Sequence, residues 1–559
     1  MGVGGGAAQR EGGTNVVVTG RTSGILLHPT SLPGPHGVGD LGDVAARFID
    51  WLGEAQQGLW QILPLGPPGA GDSPYDARSS FAGNPLLIAL SPLVEWGLLT
   101  ADEVPPPLPS DPERADFAGA ASVKMPALAR AFERFEAAGA GELHAAYEDF
   151  WHREGDWLAD YALYAALRTA HDGLPWYRWE PALVRREPEA LAQWRERLDR
   201  DVRFQAFLQF VFDRQWHTLK QRANERGIRI VGDIPIYVSH DSADVWAHQD
   251  LFTLDEAGQP TMRAGVPPDY FSATGQLWGN PCYRWDALAA TGYRWWIDRF
   301  RRVRELVDLV RVDHFRGFAA GWQIPAGEET AINGAWVPGP GLDFFQRLQR
   351  ELGPVPIIVE DLGVITPDVH ELREQLGYPG MRVLQFAFGS GSDNPYLPHN
   401  YEPNTVVYTG THDNDTTLGW FRTCPPHERE HALRYLGTDG HDIVWDLIRL
   451  AFMSVANAAV VPLQDVLELG SEARMNVPGT ASGNWAWRVR EDALTPERAH
   501  LPHGHVRSCG RGGTIAPPRY TWAVVWSRRR RSSVVSRTSS ASSGWRSRSI
   551  AIQIVRAIG

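Results

Sequence analysis

The sequence predicts an α/β protein, a (β/α)8 TIM barrel with long inserted subdomains over the C-terminal face of its strands. Three observations lead there: eight short apolar runs recur along the 559-residue chain, helix-like stretches separate them, and polar residues with catalytic chemistry follow them. The runs are Gly24–Leu27, Trp60–Leu63, Ile228–Val231, Leu309–Val312, Ile357–Val359, Arg382–Phe386, Thr405–Tyr408 and Ala458–Val461. They are β-branched, not strictly alternating and too short for helices, as strands buried on both faces are. Asp43–Ala55, Trp295–Leu306 and Pro367–Leu376 read as helices between them. Eight β-then-α units close into a parallel barrel, whose catalytic groups sit at strand C-termini. An open doubly wound sheet shares the alternation but gathers its chemistry at one crevice. Here His28, Pro64, Asp233, Asp313, Glu360, His412 with Asp413, and Gln464 with Asp465 follow run after run.

The rest of the chain is organised around that barrel, expected over residues 21–500. Residues 1–20 are a Gly-rich leader, expected to be flexible; it lacks the apolar core of a signal peptide, and Gly6 breaks the myristoylation pattern. Residues 65–227 are too long for one connection and carry helical segments at Ala127–Ala138, Leu143–Leu167 and Pro188–Arg222. Residues 235–308, richer in Pro, Gly and aromatics, read as a loop-rich cap. Insertions after barrel strands lie over the active-site face, so both shape a cleft. Residues 501–559 hold 11 Arg and no Asp, Glu or Lys, so without them the formal net charge of −12 becomes about −23. That Arg/Ser-rich tail reads as an aberrant, disordered extension, or alternatively as a basic arm for nucleic acid or membranes. An acidic body excludes nucleic acid as the main partner. Cys282, Cys424 and Cys509 are too few and too scattered for a disulfide framework or a zinc site, which points to the cytoplasm. No run of eighteen apolar residues offers a membrane span. The 23 Trp either fill a large core or present faces for sugar rings.

Three acids end strands within conspicuous motifs. Asp313 lies in Val310-Arg-Val-Asp-His-Phe-Arg-Gly317, Glu360 in Ile358-Val-Glu-Asp-Leu-Gly363, and Asp413 in Tyr408-Thr-Gly-Thr-His-Asp-Asn-Asp-Thr416. Arg311, two residues before Asp313, favours its ionised form. Glu360 follows an apolar strand, and desolvation there raises a carboxyl pKa as a general acid requires. Two carboxylates with opposed environments suit glycoside cleavage through an oxocarbenium-like transition state. Each acid taken alone reads more readily as a structural ion-pair partner than as a catalytic group. No phosphate loop, nucleotide fingerprint or metal-ligand spacing occurs, and Asp413-Asn-Asp415 lacks the Gly of a calcium loop, so no cofactor or metal is expected.

Over about residues 21–490 the chain resembles the 4-α-glucanotransferases (amylomaltase, disproportionating enzyme), relatives of the α-amylases. The motifs that carry the resemblance include Trp60-Gln-Ile-Leu-Pro-Leu-Gly66, Gly71-Asp-Ser-Pro-Tyr75, Gly265-Val-Pro-Pro-Asp-Tyr-Phe271, Gly275-Gln-Leu-Trp-Gly-Asn-Pro281, Gly380-Met-Arg-Val-Leu-Gln-Phe386 and Ala473-Arg-Met-Asn476. The resemblance implies a retaining transferase that moves a segment of an α-1,4-glucan to the 4-hydroxyl of glucose or another glucan. It implies Asp313 as nucleophile, Glu360 as acid/base and Asp413 as the acid gripping the reacting glucose. Arg311, His314 and His412 would position nucleophile and sugar, with the Tyr75 ring beneath. A loop matching Gly265–Phe271 would cover the site, Asp269 binding sugar while Tyr270 and Phe271 exclude water. Gln276, Trp278, Phe386 and Asn476 match further sugar contacts, though core packing accounts equally well for Trp278 and Phe386. Asp233 matches a residue near the reacting sugar and reads equally as structural. The implied partners are maltooligosaccharides and α-1,4-glucans as donors and acceptors, with glucose as acceptor, and a monomer or weak homo-oligomer.

Two departures qualify the resemblance. Some relatives pair two Tyr in a second glucan groove, where this chain has Ala70 and Phe117. A closing barrel helix is expected to begin near Thr495 and dissolve after His500, leaving apolar barrel surface uncovered. The alternatives to transfer are an amylase-type hydrolase and a non-catalytic glucan-binding protein; intact Asp313, Glu360 and Asp413 speak against the latter.

Overall fold

The computed structural model describes residues 20–268, 272–363 and 365–512. Its centre is a closed barrel of eight parallel strands: β1 (Thr22–Leu26), β2 (Leu59–Gln61), β3 (Arg229–Ile234), β4 (Leu309–Val312), β5 (Ile357–Val359), β6 (Gly380–Val383), β7 (Thr405–Tyr408) and β8 (Ala458–Pro462). Neighbours in sequence are neighbours in the barrel, and Thr22 of β1 pairs with Ala458 of β8 to close it. Nearly every strand residue is buried, the pattern of strands covered on both faces.

All eight runs read from the sequence are strands, with shifts at their ends. Asp233 lies within β3, not after it, and sits level with Arg311 of β4. β6 stops at Val383 because Leu384–Phe386 tightens into a 3₁₀ turn, so Phe386 leaves the strand. Beyond β8, Gln464 and Asp465 belong to the short helix Leu463–Val466. Asp465 is spent on structure there, accepting from Thr409 Oγ1 at 2.6 Å and Thr417 N–H at 2.7 Å.

The segment between β2 and β3 folds mainly into helices Phe117–Ala137, Glu142–Ala170 and Asp199–Glu225. The single helix expected over Pro188–Arg222 is broken at Leu198, separating Pro188–Arg197 from Asp199–Glu225. Over the barrel mouth lies a four-stranded antiparallel sheet, ordered Gln276–Pro281, Met262–Val266, Ala320–Pro325, Ala335–Pro338. Its last two strands follow β4, so the cap is built from two connections rather than from residues 235–308 alone. Most Trp serve the core: Trp60, Trp176, Trp216, Trp246 and Trp296 are fully buried, whereas Trp278 and Trp336 on the cap sheet are 38% and 39% exposed.

The C-terminal expectation is overturned. Helix Pro496–Ser508 does not dissolve after His500; Thr495 caps it by accepting from the Arg498 N–H, and Trp51 Nε1 donates to the Thr495 carbonyl at 3.0 Å. Ala499, Pro502 and Val506, at helical spacing, are buried. Beyond the helix, buried Arg511 donates to the carbonyls of Phe452 (2.7 Å), Ala456 (2.9 Å) and Thr22 (3.0 Å). The folded body thus runs past residue 500. The remainder of the expected tail (513–559) and nearly all of the expected leader (1–19) lie outside the described residues. Among the described residues no helix is long and apolar enough to cross a membrane, and no cluster of three His, Cys, Asp or Glu is placed to hold a metal ion.

Candidate active site

Adjacent barrel rows bring the first group together. Because Asp233 and Arg311 are register partners, the Arg311 guanidinium reaches sideways, Nη1 lying 2.6 Å from Asp233 Oδ2. Its Nη2 reaches forward to Asp313 Oδ1 at 2.9 Å. Tyr75, from the connection after β2, donates its hydroxyl to the same Asp233 oxygen at 2.8 Å. Burial works against the Arg311 charge, but Asp233 and Asp313 raise its pKa well above the ordinary value. Asp233 is enclosed and serves as the counter-charge that holds Arg311, while the Asp313 carboxylate is 28% exposed to the cleft. That arrangement favours the structural reading of Asp233.

Glu360, one residue beyond β5, faces the same spot. Its Oε2 accepts from the His314 N–H at 2.7 Å and its Oε1 from the Leu362 N–H at 2.9 Å. Burial and then the Asp313 charge push its pKa up to about 8, against the pull of Arg311 and those two amides. The carboxyl is therefore fixed in position yet holds its proton at neutral pH. His314 adopts left-handed backbone (φ 48°, ψ 50°), which turns its N–H toward Glu360. Burial lowers its ring pKa to about 4, so the imidazole is neutral, and Nε2 has no hydrogen-bond partner among the described residues.

The third acid comes from the loop after β7. Asp413 Oδ1 accepts from Asn476 Nδ2 at 2.6 Å and lies 3.4 Å from His412 Nε2; its side chain is 45% exposed. The Asp413 carbonyl accepts from Arg474 Nη2 at 2.7 Å, and the Asn476 N–H donates to the His412 carbonyl at 3.0 Å. The Ala473–Asn476 motif is thus a brace for the His412-Asp413 loop. The His412 ring stacks on Tyr75 (4.9 Å between centroids, 17° between planes). His28, after β1, is neutral, its pKa lowered to about 3 by burial and then by His412. Asp313, Glu360 and Asp413 therefore converge at the ends of β4, β5 and β7.

The 4-alpha-glucanotransferase family model matches residues 27–495. This chain belongs to the 4-alpha-glucanotransferase family. The 4-alpha-glucanotransferase of Thermus thermophilus is 54% identical over 486 residues, 85% of this chain and 96% of that one. That of Synechocystis sp. is 53% identical over 478 residues, 85% and 95%. Among solved structures, an amylomaltase from Streptococcus agalactiae in complex with acarbose superposes with a TM-score of 0.85 at 38% identity, covering 88% of this chain and 100% of that one.

Other residues that the transferase motifs single out sit around the cleft. Gln276 and Trp278 share a cap strand, Trp278 Nε1 donating to Gln276 Oε1 at 3.1 Å, and the Trp278 ring meets His314 edge-on at 4.9 Å. Exposure of Trp278 argues against the core-packing reading for that residue. Phe386 is partly buried against Tyr396, which fits packing as well as sugar contact. Asp269, Tyr270 and Phe271 lie outside the described residues. Phe117 is buried with Val38 and Ala120, so it presents no ring for a second glucan groove. One residue of the site escaped the sequence reading. Trp485, itself left-handed (φ 61°), packs its ring 5.7 Å from Tyr75 and 5.9 Å from His412. A bulky residue at positive φ is strained, and nothing in the sequence around it announces that conformation.

Proposed function

We propose that this transferase cuts an α-1,4-glucan with retention and passes the glycosyl segment to the 4-hydroxyl of glucose or another glucan. Asp313, held by Arg311, attacks the anomeric carbon while Glu360 gives its proton to the departing glycosidic oxygen. The bond broken joins that carbon to the leaving sugar; the bond formed is a β-glucosyl ester on Asp313. Glu360, now a carboxylate, takes the proton of the incoming 4-hydroxyl as that oxygen displaces Asp313. Asp413 grips hydroxyls of the reacting glucose through the oxygen that Asn476 leaves free, over the stacked Tyr75 and His412 rings. The observation that carries this reading is geometric: a Glu360 fixed by the His314 and Leu362 amides beside an Asp313 paired with Arg311, with burial raising the Glu360 pKa, an acid and a nucleophile with their roles divided.

Donors and acceptors are maltooligosaccharides and longer α-1,4-glucans, with glucose the smallest acceptor. Asp269 would bind sugar, and Tyr270 and Phe271 would exclude water from the glucosyl intermediate. The three cysteines are all free, which suits a cytoplasmic setting. Maltotriose incubated alone tests the reading: a ladder of longer oligomers plus glucose is expected, and Asp313→Ala abolishes it. Glucose and maltose without longer products would instead establish a hydrolase.

A further inference from the structure

The cap sheet carries a second exposed indole that no sequence motif marks. Trp336 lies on the edge strand Ala335–Pro338, 39% exposed, where edge strands ordinarily carry charge to stay soluble. Its ring is held on two sides. The Arg316 guanidinium carbon sits 3.8 Å from the ring centroid, and register partner Trp322 meets it at 5.2 Å and 64°. Trp322 is itself fixed by donating Nε1 to the Ala331 carbonyl at 2.9 Å.

Arg316 ties this corner to the reacting centre. It lies two residues after His314, on the turn whose Phe315 N–H donates to the Glu360 carbonyl at 3.2 Å. Its Nη2 donates to Thr366 Oγ1 at 3.3 Å, on the segment that follows Glu360. The strand end is joined to the same turn through Gly339 N–H to the Ala319 carbonyl at 2.8 Å. Trp336 is thus braced against the wall that extends outward from the acid/base. In the proposed mechanism the leaving and incoming sugars are those bound beside Glu360, and Trp336 is tied to the turn next to it.

We propose that Trp336 is an outer acceptor subsite, a stacking platform for a glucosyl unit of an α-1,4-glucan chain that reaches past the unit bound next to the nucleophile. This rests on the transferase reading above. Sugar rings present apolar C–H faces that stack on indole, and a ring already immobilised loses little entropy on binding. Such a site discriminates by acceptor length, since only a chain of several units engages both it and the reacting centre.

Two measurements decide it. With maltotriose as donor, Trp336→Ala raises the KM for maltotetraose and longer acceptors, relative to that for glucose, by roughly threefold to tenfold, and Trp336→Phe recovers most of the loss. In a Glu360→Gln background, calorimetry shows maltoheptaose binding weakened to a similar degree by Trp336→Ala, with maltose binding weakened less. An equal change for short and long sugars, or no change, overturns the subsite. A wild-type protein that builds no ladder overturns the transferase reading instead, and the calorimetry still decides Trp336.

Discussion

In the proposed mechanism Glu360 is an acid in one half of the cycle and a base in the other, and its surroundings set the pH range in which it is ready for the first. With Glu360 as the proposed acid, kcat/KM on maltotriose is expected to fall as pH rises through about 8. A pH–rate profile flat through that range contradicts the assignment. The same shift has a stability consequence of definite sign. A carboxyl raised from 4.5 to about 8 on folding takes up its proton in the folded state, so wild-type stability declines as pH climbs between those values. Glu360→Gln escapes that decline, and its thermal midpoint gains on wild type across the window. The raised acid was legible from an apolar strand running into Glu360, because desolvation depends on local sequence. Trp485 was not, since its place depends on a left-handed backbone and on residues 75 and 412 arriving from far along the chain.

Elements were legible where one segment carries its own pattern. Eight β-branched runs gave eight barrel strands, since a strand covered on both faces must be apolar along its length. The cap sheet was not legible as one unit, because Met262–Val266 and Ala320–Pro325 pair across β4 and neither segment alone signals the other. At the C-terminus composition misled: Arg- and Ser-rich sequence concealed Ala499, Pro502 and Val506 at helical spacing. A chain ending at residue 512 is expected to keep the wild-type thermal midpoint, and one ending at residue 500 to lose much of it. The shorter chain forfeits Val506 burial, about 1.5 kcal/mol. It also leaves the carbonyls that Arg511 serves without that donor, about 1–3 kcal/mol for each that stays dry. Equal midpoints for the two truncations would show that the closing turn of the helix and Arg511 add nothing.

At the scale of the whole molecule, a buried charge cluster helps to join the helical insertion to the barrel. Arg302, on barrel helix Arg294–Leu306, lies 2.7 Å from Asp213 of helix Asp199–Glu225 and 3.8 Å from Glu154 of helix Glu142–Ala170. Its Nε donates to the Phe81 carbonyl in the connection after β2 at 3.3 Å. One guanidinium therefore holds two inserted helices and a loop near the cleft against the barrel. Burial pushes the Asp213 carboxyl up, but Arg302 and then His217 draw it down to about 2. Its contribution to stability is present above the ordinary carboxyl value of 3.8 and fades as pH falls toward 2. Arg302→Ala would remove the buried cation from Asp213 and Glu154, leaving them the half-exposed Arg153 and, for Asp213, His217, a loss of up to about 3–5 kcal/mol. Urea unfolding at neutral pH should show that loss, and the deficit should narrow on acidification as Asp213 takes up a proton in the variant first. A deficit independent of pH would mean that Arg302 acts through packing against Trp157 rather than through its charge.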